Sequence, residues 1–376
     1  MDIYLAVYIL LVIQQIIGFF SKSYYLSVSI SNKIYLQRTN LFNIGMMFFV
    51  SAILFFIAIL RSDVVGTDYG QYLYFMDVVQ SYRWSDIYSV AQGGHIEYFF
   101  LLISKFISVF TTDRYLMMGF WYLTLFVCLA MFLVKGSKRY YIGLYIFFTL
   151  GLFNQSLNIT RQYVAASILG LGLIYFINNN VKKYLFSLII AIFIHNSAIL
   201  GLLLILLKFK NIKKNIRIIT LVGILVSLYL TFNFSAVFSA LGLENGDIDY
   251  ARYVISESYE GGMGFGLLIN LFIYTVYFIF YKQFTRFDNS AYMWLTCAAL
   301  TLALNLISIN TFIIARLLIY FKIVILISVP RFIDSCIRNR NVKYITYGGL
   351  IGVCGIYYMY ILVNTSLYNT VPYIFR

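Results

Sequence analysis

The chain is 376 residues long, 62% hydrophobic and 11% charged, with two prolines and a mean hydropathy of +0.85. No soluble domain of this length hides so much apolar surface, which excludes a water-soluble globular enzyme. The net charge of +14 would suit nucleic acid, but the basic residues sit in short loops between apolar runs, a pattern of topology signals without the phosphate-neutralising patch that nucleic-acid binding needs.

The four cysteines, Cys128, Cys297, Cys336 and Cys354, show no short paired spacing, so neither a disulfide framework nor a zinc site is expected. From the beginning, residues 1–20 lack a basic n-region and a small-residue cleavage site and read as a retained anchor. Apolar runs follow at 4–20, 41–60, 98–110, 115–134, 141–153, 163–177, 184–207, 218–232, 265–284, 291–309, 312–329 and 344–363. Their length and the tyrosines at their ends predict an all-α, polytopic integral membrane protein of roughly a dozen segments, one helical domain over 1–376.

Basic clusters at Lys22–Lys33–Arg38, Lys135–Lys138–Arg139, Lys182–Lys183, Lys208 to Arg217, Lys282–Arg286 and Arg331 to Lys343 mark the cytoplasmic side by the positive-inside rule. The segments 61–94 and 233–264 then form two longer periplasmic loops. The alternation fails at two runs, 98–110 and 184–207, which makes them candidates for re-entrant segments, the second with its break near His195-Asn196-Ser197. The first loop mixes Asp63, Asp68, Asp77 and Asp86 with Tyr69, Tyr72, Tyr74, Tyr82 and Trp84, a composition that suits a sugar-lined cleft. The second holds Tyr250 and Arg252 among carboxylates and ends in a glycine cluster that no strand precedes, so it is no dinucleotide fingerprint.

An ionisable group inside an apolar run costs about 2.5 to 3.5 kcal/mol on insertion scales, which makes Arg161 and His195 site candidates. Arg161 follows Thr160, read as an N-cap, with Asn154, Gln155, Asn158 and Gln162 around it. A guanidinium beside a helix N-terminus forms an anion site suited to phosphate, and the bland alternative is an arginine snorkelling to the lipid interface. His195 offers a hydrogen bond to phosphate, acid or base chemistry, or a bridge between helices. Arg316 parallels Arg161 at the start of a later run. Glu97 is either a helix N-terminal charge or a catalytic carboxylate. Asp68, in Gly66-Thr67-Asp68-Tyr69 after Arg61, is either a general base for an acceptor hydroxyl or a loop cap paired with Arg61.

The order Arg61…Gly66-Thr67-Asp68-Tyr69, His95-Ile96-Glu97-Tyr98, Asn158-Ile159-Thr160-Arg161-Gln162, Lys182-Lys183, His195-Asn196-Ser197-Ala198 and Ala315-Arg316-Leu317…Tyr320 resembles the EpsG-type, Wzy-like polysaccharide polymerases over about residues 40 to 330. The resemblance implies an enzyme of the bacterial inner membrane that joins undecaprenyl diphosphate-linked oligosaccharide repeat units on the periplasmic face, for O-antigen, capsule or exopolysaccharide. It implies Arg161, with Arg316, Arg61 or His195, against the leaving diphosphate, and Asp68 or Glu97 as the base. Substrate contacts would come from Tyr69, Asn158, Gln162, Tyr320, Tyr250 and Arg252, with membrane lipid and a chain-length regulator protein as further partners. No carboxylate cage is visible in the sequence, so chemistry without a metal or other cofactor is expected. A flippase for the same lipid-linked sugars is the rival from another class, but no internal repeat supports it. An O-antigen ligase shares the donor, and only motif order favours the polymerase.

Overall fold

The computed structural model describes residues 2–20, 24–30, 33–39, 41–234, 264–310, 312–365 and 367–376. These are mainly helical, with one antiparallel hairpin, β1 (Tyr24–Ile30) with β2 (Lys33–Thr39), and an isolated bridge between Arg61 and Phe375. The all-α expectation holds for the rest of the described residues, and the hairpin is a local exception to it. Leu26, Val28 and Ile30 alternate with Ser27 and Ser29, a period of two that suits a strand and not a helix.

The chain divides into two compact units, Met1–Ala198 with Asn339–Arg376, and Ile199–Arg338. Both divisions follow breaks in the helices, at His195 and at Ile337, whose backbones turn extended. The first unit begins with α1 (Asp2–Phe20), α2 (Leu41–Ile59), α3 (Tyr69–Ser81), α4 (Ile87–Gly93) and α5 (Tyr98–Ile107). It continues with α6 (Arg114–Gly136), α7 (Tyr140–Thr149), α8 (Leu152–Asn158), α9 (Thr160–Ile177) and α10 (Val181–Ile194). After 3₁₀ turns over Asn196–Lys208, the second unit holds α11 (Lys210–Lys214), α12 (Ile216–Phe232), α13 (Phe265–Ile279), α14 (Tyr281–Phe287), α15 (Ala291–Ile307), α16 (Phe312–Leu317), α17 (Ile319–Lys322) and α18 (Ile325–Cys336). Finally, α19 (Arg340–Asn364) returns to the first unit and packs on α7.

Among the described residues, α1, α2, α6, α9 and α19 are long and apolar enough to cross a bilayer, and α13 with α14, bent by 72°, adds a sixth if the pair is one span. Five further apolar helices among the described residues, of 10 to 17 residues, fall short of that length, so the roughly dozen expected segments are matched only in part. The 10 residues of α5 reach about 15 Å, half of the ~30 Å hydrocarbon core. The run at 141–153 stops as Gly151 takes φ +70°. The run at 184–207 leaves the α-helix at His195, where the sequence suggested a break, and 312–329 is cut among α16, α17 and α18.

The segment 61–94 contains helices of its own, α3 and α4. Tyr69, Tyr72, Leu73, Met76 and Val79 fall on one helical face of α3 and are buried, and α3 packs against α5 and α6. In the second unit α15 packs on α12 and α13, with Asn270 Nδ2 donating to Asn305 Oδ1 at 2.7 Å as a polar link between α13 and α15. There Arg331 donates twice to the buried Asp288 carboxylate, at 2.7 and 2.9 Å, tying α18 to the turn before α15.

Candidate functional site

The site is set by a kink. Gly151, in the left-handed region, opens α8, and α9 begins directly after it with Ile159 between them. Thr160 is therefore not the N-cap. It is the first residue of α9, and its hydroxyl donates to Ser156 O at 3.1 Å and meets Tyr122 Oη at 2.8 Å. Tyr163 Oη closes the same kink by donating to Gln155 Oε1 at 2.8 Å. Arg161 and Gln162 consequently project from the first turn of α9, where backbone N–H groups lack helical partners.

Three elements converge on one carboxylate. Glu97 occupies the N-cap position of α5, but its side chain makes no cap bond. Its Oε2 pairs with Arg161 Nη1, while its Oε1 lies 2.5 Å from His195 Nδ1 and accepts from Asn196 N at 3.2 Å. His195 ends α10 in an extended conformation, φ −154° and ψ 116°, which turns its ring away from the helix and toward α5. Stacked Phe99 and Phe193, 4.2 Å between ring centroids, hold α5 on α10 beside this contact. The side chains are 8% exposed at Glu97 and 18% at both Arg161 and His195, so the cluster is largely desolvated yet open at one edge.

Burial pushes the Glu97 carboxyl up. The hydrogen bond with His195 and the charges of Arg161 and His195 outweigh it and pull the group from 4.5 to about 2. Glu97 is thus ionised, and both of its oxygens are occupied. Gln162 Nε2 stands 2.8 Å from His195 Nε2, the far nitrogen of the same ring. The Arg161 guanidinium lies 5.5 Å from the Tyr72 ring centre and 5.6 Å from that of Phe100, so aromatic faces support it from α3 and α5. The charge of Asp68 also acts on Arg161. Asp68 holds the N-cap position of α3 without a side-chain cap bond and accepts from Thr67 Oγ1 at 3.0 Å.

Arg61 is placed differently from a surface contact. It is fully buried, with Nη2 donating to Tyr122 Oη at 2.5 Å and to Leu157 O at 2.7 Å, and its Cζ lies 3.6 Å from the centre of the Tyr69 ring. Leu157 O belongs to the last turn of α8, so Arg61 supports the kink that aims Arg161. Tyr69 and Asn158 are buried with it, and Gln162 is 7% exposed. Arg316 falls in the last turn of the short α16, not at the start of a long helix, and Tyr320 is buried in α17. Both belong to the second unit. Tyr250 and Arg252 lie outside the described residues.

Sequence reasoning passed over two supports. Tyr122 sits mid-helix in α6 and reads as one more apolar aromatic, yet its hydroxyl joins Arg61 to Thr160. The C-terminal stretch 367–376 reads as a tail, yet it laces this face of the unit. Asn158 Nδ2 donates to Tyr368 O and Asn154 Nδ2 to Thr370 Oγ1, both at 2.8 Å, while Gly66 N donates to Asn369 O at 2.9 Å and Tyr4 Oη to Thr370 O at 2.9 Å. The signal for it was the asparagine pair at 154 and 158, spaced one helical turn apart on a buried face.

Among the described residues, no three His, Cys, Asp or Glu side chains gather closely enough to hold a metal ion. What the cluster offers is a cation with N–H groups beyond those spent on Glu97, next to a histidine whose ring is oriented at both nitrogens. Compared with known proteins, residues 44–375 match the model of the EpsG family. No curated protein and no solved structure matches.

Proposed function

Because the chain belongs to the EpsG family, we propose that it is a polysaccharide polymerase of the bacterial inner membrane, working on undecaprenyl diphosphate-linked oligosaccharide repeat units at the periplasmic face. The observation that carries this reading is Arg161, largely buried in the first turn of α9 and held by Glu97 through Nη1. In the proposed reaction an acceptor sugar hydroxyl of one repeat unit attacks the anomeric carbon of the growing chain. The bond from that carbon to the diphosphate oxygen breaks, and the electron pair leaves with the lipid diphosphate. Arg161 and the free amides at the start of α9 compensate the developing charge. The acceptor proton goes to a base drawn from Asp68, Glu97 and His195. Sugar contacts are assigned to the tyrosine-rich segment 61–94, with Arg316, Tyr320, Tyr250 and Arg252 as further substrate contacts and a chain-length regulator protein as a partner.

The test is glycan length in cells lacking the chromosomal copy of this gene, with and without the full chain supplied in trans. A ladder of repeat lengths that returns with the chain supports the polymerase. Single repeat units on the lipid core despite good membrane abundance of the chain overturn it. Glycan trapped on carrier lipid at the cytoplasmic face would favour a flippase, and long chains stranded on the carrier would indicate a ligase.

A further inference from the structure

We infer that His195 is the group that takes the acceptor proton, that Glu97 is its positioning residue rather than the base, and that Gln162 holds the place of the acceptor hydroxyl in the resting site. The inference rests on the polymerase reading above.

Glu97 is poorly arranged to be a base. Its Oε2 is engaged by Arg161, and its Oε1 by His195 Nδ1 and by Asn196 N. A hydroxyl reaching either oxygen would have to displace a charged or fixed donor. A carboxyl pulled down to about 2 also holds a proton too weakly to compete for one near neutral pH. The same contacts suit a different task. A carboxylate on Nδ1 keeps the ring proton there, which fixes the tautomer and leaves the Nε2 lone pair as the accepting site.

The placement of Gln162 is consistent with that direction of the lone pair. Its Nε2 can only donate, and it sits 2.8 Å from His195 Nε2, at the separation an acceptor hydroxyl would take. Gln162 is 7% exposed, and its Oε1 is buried with no hydrogen-bond partner. Such an acceptor is costly unless some state of the site uses it. Protonated His195 is that state: a half-turn of the amide presents Oε1 to the new Nε2–H.

The proton balance also serves the leaving group. With His195 neutral, Arg161 and Glu97 cancel. When the acceptor O–H bond breaks and its proton moves to Nε2, the oxygen bonds to the anomeric carbon and the carbon–diphosphate bond breaks with its electrons on the diphosphate. The three side chains then carry one net positive charge as the diphosphate gains negative charge. The imidazolium returns its proton to solvent before the next acceptor enters.

The chain has two histidines, so ring-¹⁵N histidine spectra of the full-length protein in detergent micelles, with His95→Gln for assignment, read His195 directly. Nδ1 protonated and Nε2 bare is the expected result at mildly alkaline pH, with Glu97→Gln shifting the proton toward Nε2. A wild-type ring carrying its proton on Nε2 overturns the proposal. The glycan ladder supplies the second arm, at matched membrane abundance. His195→Gln is expected to cut elongation by about 10²-fold or more, and a fall no greater than that of Asp68→Asn removes His195 as the base. The two failures are separable: a wild-type chain that restores no ladder defeats the polymerase reading itself, whereas a ladder insensitive to His195→Gln defeats only this assignment.

Discussion

Glu97 Oε1 lies 2.5 Å from His195 Nδ1, and the other oxygen of the same carboxylate pairs with Arg161. One carboxylate therefore ties the N-terminus of α5 to the first turn of α9 and the end of α10. Its titration should be visible in stability. A carboxyl held lower in the folded than in the unfolded chain contributes stability above its unfolded value and loses it as pH falls through the folded one. For Glu97 that window runs from 4.5 down to about 2. At about 1.4 kcal/mol per pKa unit the contribution is on the order of 3 kcal/mol. Unfolding of the protein in detergent should thus become easier as pH drops through this window. Glu97→Gln should be less stable near neutral pH and show a flatter acid dependence. An unchanged acid slope in the variant would assign the window to other groups.

Arg161 has a separate consequence for activity. Its Nη1 is committed to Glu97, so compensation of a leaving diphosphate falls to the other N–H groups of the same planar guanidinium. Arg161→Ala should cost elongation on the order of 10²-fold, the usual scale for removing a donor aimed at developing charge. Arg161→Lys should recover little of it, because a point charge cannot serve Glu97 and a phosphate in one geometry. The ladder of glycan lengths measures both variants, and full recovery by lysine would mean that only charge matters here.

Much of this site was legible in the sequence because a bilayer makes rare residues conspicuous. Arg161, His195 and Glu97 stood out as ionisable groups in or beside apolar runs, and the structure brings those three together. Their pairing was not legible, since Glu97, Arg161 and His195 come from three separate helices and no local period links them. Arg61 was singled out as a partner for Asp68 and, through the resemblance, as a contact of the diphosphate, yet it is enclosed by Tyr69, Tyr122 and Leu157. Composition cannot distinguish a cation that faces a ligand from one that caps a helix end. The number of full spans was less legible for a related reason. Hydropathy sums over 141–153 or 312–329 are blind to a left-handed glycine or a turn, and these decide whether a run is one helix or several.

The C-terminal tail should matter to the site through Thr370. Its side chain is fully buried and its hydroxyl accepts from Asn154 Nδ2 at 2.8 Å. Thr370→Val keeps the shape and removes that acceptor, leaving a buried amide without its partner at a cost of about 1 to 3 kcal/mol. The unfolding midpoint in detergent should fall accordingly. A midpoint equal to that of the wild type would show that Asn154 finds another acceptor and that the tail is not clamped through this bond.

Gly66 is the most sensitive backbone position of the segment that joins Arg61 to Asp68. Its φ of +101° is one that side chains avoid, and an added Cβ would meet Asn158 Oδ1 at 2.5 Å and Arg61 Nη1 at 3.5 Å. Asn158 cannot easily yield, because its Nδ2 is bound to Tyr368 O at 2.8 Å. Gly66→Ala should therefore lower stability by about 1 to 3 kcal/mol. The displacement would carry through the segment to Asp68 at its far end, so the glycan ladder should shorten as well. Gly45→Ala is the matched control: Gly45 lies within α2 and has nothing within 4 Å of an added Cβ. There alanine should be neutral or stabilising by up to about 1 kcal/mol. If the two variants unfold alike and leave ladders of the same length, the turn at Gly66 is dispensable and the position of Asp68 does not depend on it.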